Sequence, residues 1–161
     1  MVKKISFAIA LIFIGIQFIP VEKTNPEEKA PIQVDDASMR SFLEVSCMDC
    51  HSNNTVWPWY ASIAPVSWKI AEHVNEGREE LNFSEWESYS DKKKIHKLEE
   101  MYEETQEGHM PEGNYELLHE GAEVTNEELI ALKTWVDQEI ASIQSKQPNA
   151  TIPTDSLDIK Q

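Results

Sequence analysis

The chain has 161 residues, of which 29 are acidic and 14 basic, so its formal net charge at pH 7 is −15. This length leaves room for one domain of ordinary size beside a leader and a tail. The acidic balance argues against a nucleic-acid partner, because phosphate binding depends on clustered Lys and Arg side chains. It suits a surface that attracts a basic partner or one that only keeps the domain soluble.

The N-terminal segment, residues 1–21, differs from the rest of the chain. Lys3 and Lys4 precede an apolar run over residues 5–19, which is the order found in a secretory signal peptide or signal anchor. No small-x-small cleavage site follows, although the run is somewhat short for a membrane span of ~20 residues. We expect an exported, periplasmic protein tethered to the inner membrane by residues 5–21, with a cleaved signal peptide as the alternative.

The remaining chain divides into three parts. Residues 22–35 are charged and interrupted by prolines, which predicts a linker. Residues 36–146 form the predicted domain. Residues 147–161 are polar and broken by proline, which predicts a disordered tail.

A first helix is predicted to begin at an N-cap on Asp35, Asp36 or Ser38. Apolar residues follow at helical spacing and make one stripe, namely Met39, Phe42 and Leu43. We expect this helix to continue without a break to about His51.

The most informative stretch is the C-x-x-C-H run over residues 47–51, which holds both cysteines of the chain. This spacing is typical of covalent attachment of a c-type haem. On a helical turn, Cys47 and Cys50 share one face and could reach two vinyl groups of a porphyrin, and His51 offers an axial ligand to the iron. The alternatives are a disulfide or redox pair, which leaves the histidine unexplained, and a zinc site, which needs further grouped ligands.

An aromatic cluster follows the attachment motif. It consists of Trp57, Trp59, Tyr60 and Trp68. Such rings could exclude water from a porphyrin, and their N–H groups could meet its propionates. We therefore expect this cluster to wall the haem or, more simply, to be part of the core.

Further helices are predicted by start and stop signals in the second half of the chain. Capping boxes of the S/T-x-x-E type occur at Ser84 with Glu87 and at Thr125 with Glu128, and such boxes mark helix starts. With a proline suited to a first turn at position 65, the predicted helices cover residues 65–80, residues 84–107, and a last segment from 125 to a stop before Pro148.

A second suggestive stretch is the Gly-His-Met-Pro-Glu-Gly sequence around Met110. Methionine sulfur is a soft axial ligand for haem iron, and the two glycines allow the loop to approach another surface closely. Met110 is therefore the predicted sixth ligand. His73 and His109 are alternative ligands, and an open sixth position is the remaining possibility.

The order of these parts is similar to that of a class I cytochrome c, and several segments resemble the bacterial haem-binding domain family. These segments are 47–51, 58–60, 64–68, 73–74, 76–78 and 81–84, extended by Met110-Pro111, Tyr115, His119 and Trp135. The resemblance implies an all-α, cytochrome c-like domain wrapped around one haem. It also implies covalent attachment through Cys47 and Cys50, with His51 and Met110 on the iron.

The resemblance does not supply a reaction, so the function is predicted from the ligands. Iron with both axial positions filled suits electron transfer, and we expect a non-enzymatic monohaem carrier that serves a redox partner protein. The alternative is a haem sensor or peroxidase-like protein with an open or displaceable sixth ligand. His73 and His109 would favour that alternative if they lay near the open position.

Overall fold

The computed structural model describes residues 1–113 and 115–146, and the predicted disordered tail lies outside them. Within the described residues the secondary structure is entirely helical, which confirms the predicted all-α class. The α-helices are α1 (Val2–Ile16), α2 (Ala37–Ser46), α3 (Met48–His51), α4 (Val66–Glu80), α5 (Asp91–Gln106) and α6 (Asn126–Ser145). Two short 3-10 helices cover Trp59–Ser62 and Phe83–Ser88.

The core joins three of the long helices. Leu43 of α2, Leu98 of α5 and Leu132 of α6 belong to one apolar cluster and are fully buried. Burial of each such side chain stabilises the fold by roughly 1.5–3 kcal/mol relative to exposure. The core therefore fixes α2, which leads directly into the C-x-x-C-H motif, against the α5–α6 pair.

The first helix begins as predicted but ends earlier. The Asp36 carboxylate accepts a hydrogen bond from the backbone N–H of Met39 at 2.7 Å, which makes it the N-cap. The helix stops at Ser46, because Cys47 has φ −129° and ψ −43°, outside the helical region. The prediction of one continuous helix to His51 is wrong, since α3 begins anew at residue 48.

The third predicted helix begins later than its sequence signal suggests. Ser84 lies in the 3-10 helix and caps nothing; its buried hydroxyl donates to Glu28 at 2.8 Å and accepts from the N–H of Asn53 at 2.9 Å. Helix α5 begins only after Ser90, whose hydroxyl accepts from the N–H of Lys93. The predicted capping box at Ser84 is therefore wrong.

Helices α4 and α6 begin where the sequence signals predict. Pro65 immediately precedes α4. Thr125 and Glu128 form the complete capping box in front of α6, with both reciprocal hydrogen bonds present. Two reciprocal bonds satisfy donors that a helix start otherwise leaves without partners.

Residues 22–35, predicted as a linker, lie along the domain. The backbone N–H groups of Ala30 and Ile32 donate to the carbonyls of Ser84 and Phe83, at 3.1 and 2.8 Å. The side chain of Val34 is buried in the main core cluster. This segment therefore passes from α1 to α2 in contact with the region that precedes α5.

Helix α1 has no buried residue. Directly after it, the side-chain amide of Gln17 donates to the carbonyl of Ala64 and accepts from the N–H of Ala64, both at 3.0 Å. Across residues 1–113 and 115–146, no helix combines the length and the hydropathy needed to cross a membrane.

Candidate functional site

A cavity of about 300 Å³ lies between α2, α3 and α5 and is bordered by the loop that follows α5. Three of the four predicted site residues line it: Cys47, His51 and Met110. Half of the other lining side chains are apolar, namely Phe42, Leu81, Phe83, Met101, Pro111 and Val124. The fold therefore brings together residues 47, 51 and 110 across 63 positions of sequence, from 47 to 110.

The imidazole of His51 is oriented by the backbone of α4 and of the residue after it. Nδ1 of His51 lies 2.8 Å from the carbonyl oxygen of Gly77 and 3.1 Å from that of Leu81. Since carbonyl oxygens only accept, Nδ1 carries the proton, and Nε2 keeps the lone pair that binds a metal. Backbone carbonyls commonly fix a metal-binding histidine in this way.

Burial also keeps this ring neutral. Removal from water lowers the pKa of His51 below its ordinary value, and the positive charge of Lys97 lowers it further. The hydrogen bonds to Gly77 and Leu81 act in the opposite direction but do not reverse the shift. A neutral imidazole is the form that ligates iron, so the site holds His51 ready to bind.

Gly77 allows α4 to reach the attachment motif. A Cβ atom at residue 77 would lie 2.7 Å from the carbonyl oxygen of Cys50 and 3.2 Å from its Cβ atom. Real side chains do not approach a backbone oxygen so closely, so a glycine is required at this contact. Because the Gly77 carbonyl also holds His51, the same residue sets the distance between the two helices and the orientation of the ring.

The two cysteines are free thiols in different surroundings. Burial raises the pKa of Cys47 to about 12, and the neighbouring Cys50 contributes. Burial raises the pKa of Cys50 to about 11, and Asp49 and Glu112 contribute. Cys50 does not line the cavity but packs towards α4. Both thiols are therefore protonated at neutral pH as long as nothing is bound to them.

The described residues do not supply the further ligands that the zinc alternative needs. Within the part of the chain that the structure describes, no three His, Cys, Asp or Glu side chains come close enough together to hold a metal ion. The C-x-x-C-H motif is thus not part of a larger cluster of such ligands among those residues.

The alternative axial ligands lie elsewhere. His109 is 62 % exposed in its side chain and pairs with Glu104 at 3.2 Å. His73 pairs with Glu112, with 2.6 Å between Nδ1 and Oε2. Neither histidine lines the cavity. Met110 does, although it remains 41 % exposed.

Charged groups also line the cavity. Lys97 is only 15 % exposed, and its Nζ lies 2.6 Å from Glu100 and 3.4 Å from Glu80. All three residues, with Glu104, belong to the lining. The lining of the cavity therefore combines apolar side chains with a cluster of paired charged side chains.

Reasoning from sequence missed the hydrogen bonds that support α3. The Tyr115 hydroxyl donates to Asp49 Oδ2 at 3.0 Å and to the carbonyl of Val45 at 3.2 Å. Burial raises the pKa of Tyr115, and Asp49 adds to the shift, so the hydroxyl remains a donor. Its ring stacks on His119 at 3.8 Å between centroids. The motif alone gives Asp49 no role, because its partner follows 66 positions later.

The aromatic cluster does not wall this cavity. None of Trp57, Trp59, Tyr60 and Trp68 is among its lining residues. The side chain of Trp59 is 78 % exposed. The expectation of an aromatic wall from this loop is wrong, because Phe42 and Phe83 of other segments supply the rings that line the cavity.

Comparison with known proteins identifies the family. A family model described as "Haem-binding domain" matches residues 11–138, and this match covers most of the chain. The chain belongs to the haem-binding domain family, and the resemblance inferred from its motifs is confirmed. No curated protein and no solved structure gives a match.

Haem is therefore the group against which the site is tested, and the residues present fit it. A neutral histidine and a methionine sulfur are ordinary axial ligands of haem iron, and both line one cavity with Cys47. The apolar side chains of the lining suit the body of a porphyrin. His51 and Met110 would hold the iron, and Cys47 and Cys50 the ring.

Proposed function

We propose that this chain is a c-type cytochrome with a single haem, attached covalently through Cys47 and Cys50, and that it carries single electrons. One observation carries the proposal. Cys47, His51 and Met110 line the same cavity, and both backbone carbonyls near His51 leave its Nε2 as the ligating nitrogen. Membership of the haem-binding domain family supports the haem itself.

In this proposal the chain's own residues orient the ligands and exclude water. Haem iron supplies the one-electron chemistry when it is bound. Gly77 and Leu81 hold the His51 ring, and the buried side chains of Phe42 and Phe83 keep that side of the cavity apolar. With His51 and Met110 both on the metal, no position remains for a substrate, so an electron carrier is favoured over an enzyme.

We further propose that the protein works in the cell envelope. Residues 5–21 would associate with the inner membrane and leave the haem domain on the periplasmic side. C-x-x-C-H proteins receive their haem outside the cytoplasm, which supports export. A net charge of −15 favours association with a basic redox partner, since complementary charge raises the rate of encounter.

The exposure of Met110 supports a second candidate. It is 41 % exposed, and its backbone N–H donates to the carbonyl of Glu104 at 3.1 Å. A ligand held in this way could be displaced by a small molecule. The second candidate is a haem sensor or peroxidase-like protein.

Visible spectra of protein made with the haem-attachment machinery test both candidates. Reduced cytochrome c bands that survive acid-acetone extraction, with a weak far-red band in the oxidised form, support the carrier. Met110→Ala should remove the far-red band, whereas the matched control His109→Ala should keep it. Carbon monoxide binding to the reduced wild type would favour the second candidate, and loss of all haem on extraction would exclude covalent attachment.

A further inference from the structure

Two stretches of this acidic chain contain no Asp, Glu, Lys or Arg: residues 5–21 and residues 52–68. They are separated in sequence, yet the structure joins them. Gln17 makes two hydrogen bonds with the backbone of Ala64, and Lys23 donates to the hydroxyl of Ser62 at 2.8 Å. The end of α1 is therefore attached to the middle of the second charge-free stretch.

Helix α1 is apolar on all sides. Side chains around its whole circumference are exposed by 48 % or more, among them Ile5, Phe7, Ile9, Leu11, Ile12 and Phe13. A helix that is hydrophobic all round belongs in an apolar environment. Lys3 and Lys4 lie at the end that points away from the domain contact, so the charged groups of the helix are confined to one end.

The surface next to this attachment is also apolar. Around Ala64, the exposed side chains include Trp59 (78 %), Val66 (47 %), Ile63 (37 %) and Trp68 (36 %). Tryptophan is enriched where proteins meet the interface between lipid and water, because the indole has an apolar body and one N–H group. Several exposed apolar side chains within ten residues favour an interaction site over an ordinary solvated loop.

We infer that the face formed by residues 56–68 rests on a lipid bilayer into which α1 inserts, with Trp59 in the interfacial layer. A lipid bilayer explains the exposed apolar side chains of both α1 and this face. The hydrogen bonds between Gln17 and Ala64 hold the two segments side by side. A bilayer with anionic lipids repels carboxylates, and residues 56–68 contribute none. The inference rests on the proposed membrane association of residues 5–21.

This arrangement also places the attachment motif near the membrane. The loop over residues 52–58 follows directly on α3, and it is tied to it by bonds from Val56 N–H to Asp49 Oδ1 at 2.9 Å and from Thr55 Oγ1 to the Asp49 carbonyl at 2.7 Å. A domain resting on residues 56–68 holds α3 close to the lipid surface. The proposed electron carrier would then meet partners that lie within the same membrane.

Photo-crosslinking to lipid tests the inference. Full-length protein with its haem is placed in phosphatidylcholine vesicles that contain a lipid with a photoactivatable group near its headgroup, and labelled residues are mapped by mass spectrometry. We expect several-fold more label on α1 and on residues 56–68 than on the segment around Ile130. Ile130 is a matched control, since it is 68 % exposed and apolar but lies on α6.

Variants sharpen the result. Trp59→Glu should greatly reduce label on residues 56–68 and leave label on α1, whereas Ile130→Glu should change neither. Label confined to α1 in the wild type would overturn the inference and leave the proposed tether standing. Label on neither segment, or an intact mass that lacks residues 1–21, would overturn both. The absorption spectrum of the same samples reports on the haem separately.

Discussion

The contact at Gly77 yields a prediction in which local and tertiary effects have opposite signs. Gly77 lies inside α4, where replacement of glycine by alanine ordinarily stabilises a helix by about 1 kcal/mol. Here the new methyl group would meet the backbone of Cys50 at 2.7 Å. Gly77→Ala should therefore destabilise the domain, although it improves the helix in isolation.

The magnitude follows from the distances. A carbon atom and a carbonyl oxygen need about 3.3 Å, so α4 must retreat by roughly 0.6 Å. The bond between the Gly77 carbonyl and His51 Nδ1 is 2.8 Å long, and the same movement takes it beyond good hydrogen-bond length. Overpacking costs about 1–3 kcal/mol and the weakened bond about 1 kcal/mol. After the gain in helix propensity, the net destabilisation is about 1–3 kcal/mol.

Thermal unfolding followed by far-ultraviolet circular dichroism measures this effect, which corresponds to a fall in melting temperature of about 3–10 °C. Asn75→Ala is the matched control, because Asn75 is exposed on the same helix and its replacement should change stability by less than about 0.5 kcal/mol or raise it slightly. If Gly77→Ala melts at or above the wild-type temperature, α4 does not approach Cys50 as closely as described, and the account of how His51 is oriented fails.

Three further predictions concern the loop, the caps and the aromatic residues. Glu112 lies two residues after Met110, the proposed iron ligand, and pairs with His73 of α4. Glu112→Gln weakens this pair, so the far-red methionine–iron band should weaken while stability falls by less than about 1 kcal/mol. An unchanged band would contradict this prediction. Ser90→Ala should destabilise by about 1 kcal/mol in urea unfolding, since it removes the α5 cap. Trp59→Ala should change stability by less than about 0.5 kcal/mol, whereas Trp86→Ala should cost about 3–5 kcal/mol, because Trp86 is 5 % exposed; equal costs in urea unfolding would contradict the burial described.

Local sequence signals predicted the helices where local bonds decide the outcome. Asp36 and Thr125 cap helices because the backbone N–H groups that donate to their side chains lie only three residues further along the chain. The same Ser-x-x-Glu pattern at Ser84 failed, because the hydroxyl is bound by Glu28, which lies 56 positions away in sequence. A carboxylate that reaches the buried Ser84 hydroxyl outcompetes a cap, and no local pattern reveals it.

At the candidate site, the residues with specific chemistry could be predicted from the sequence. The groups that hold those residues in position could not. The C-x-x-C-H motif and the Met-Pro loop carry side chains whose chemistry indicates haem, and the fold places three of them in one cavity. The groups that orient His51 are backbone carbonyls 26 and 30 positions away. Any residue supplies a carbonyl, so the only sequence trace of this support is the glycine that lets it approach.

The aromatic loop shows how a correct observation can lead to a wrong location. The density of tryptophan after the motif predicted a wall for a porphyrin, since both a cavity and a core require apolar rings. Sequence alone could not separate these uses from a third, an apolar outer face, because all three select the same side chains. The distinguishing feature was the absence of charge, since residues 52–68 contain no Asp, Glu, Lys or Arg. Such an apolar face is favourable only where it is removed from water. A lipid bilayer, as proposed above, provides that environment.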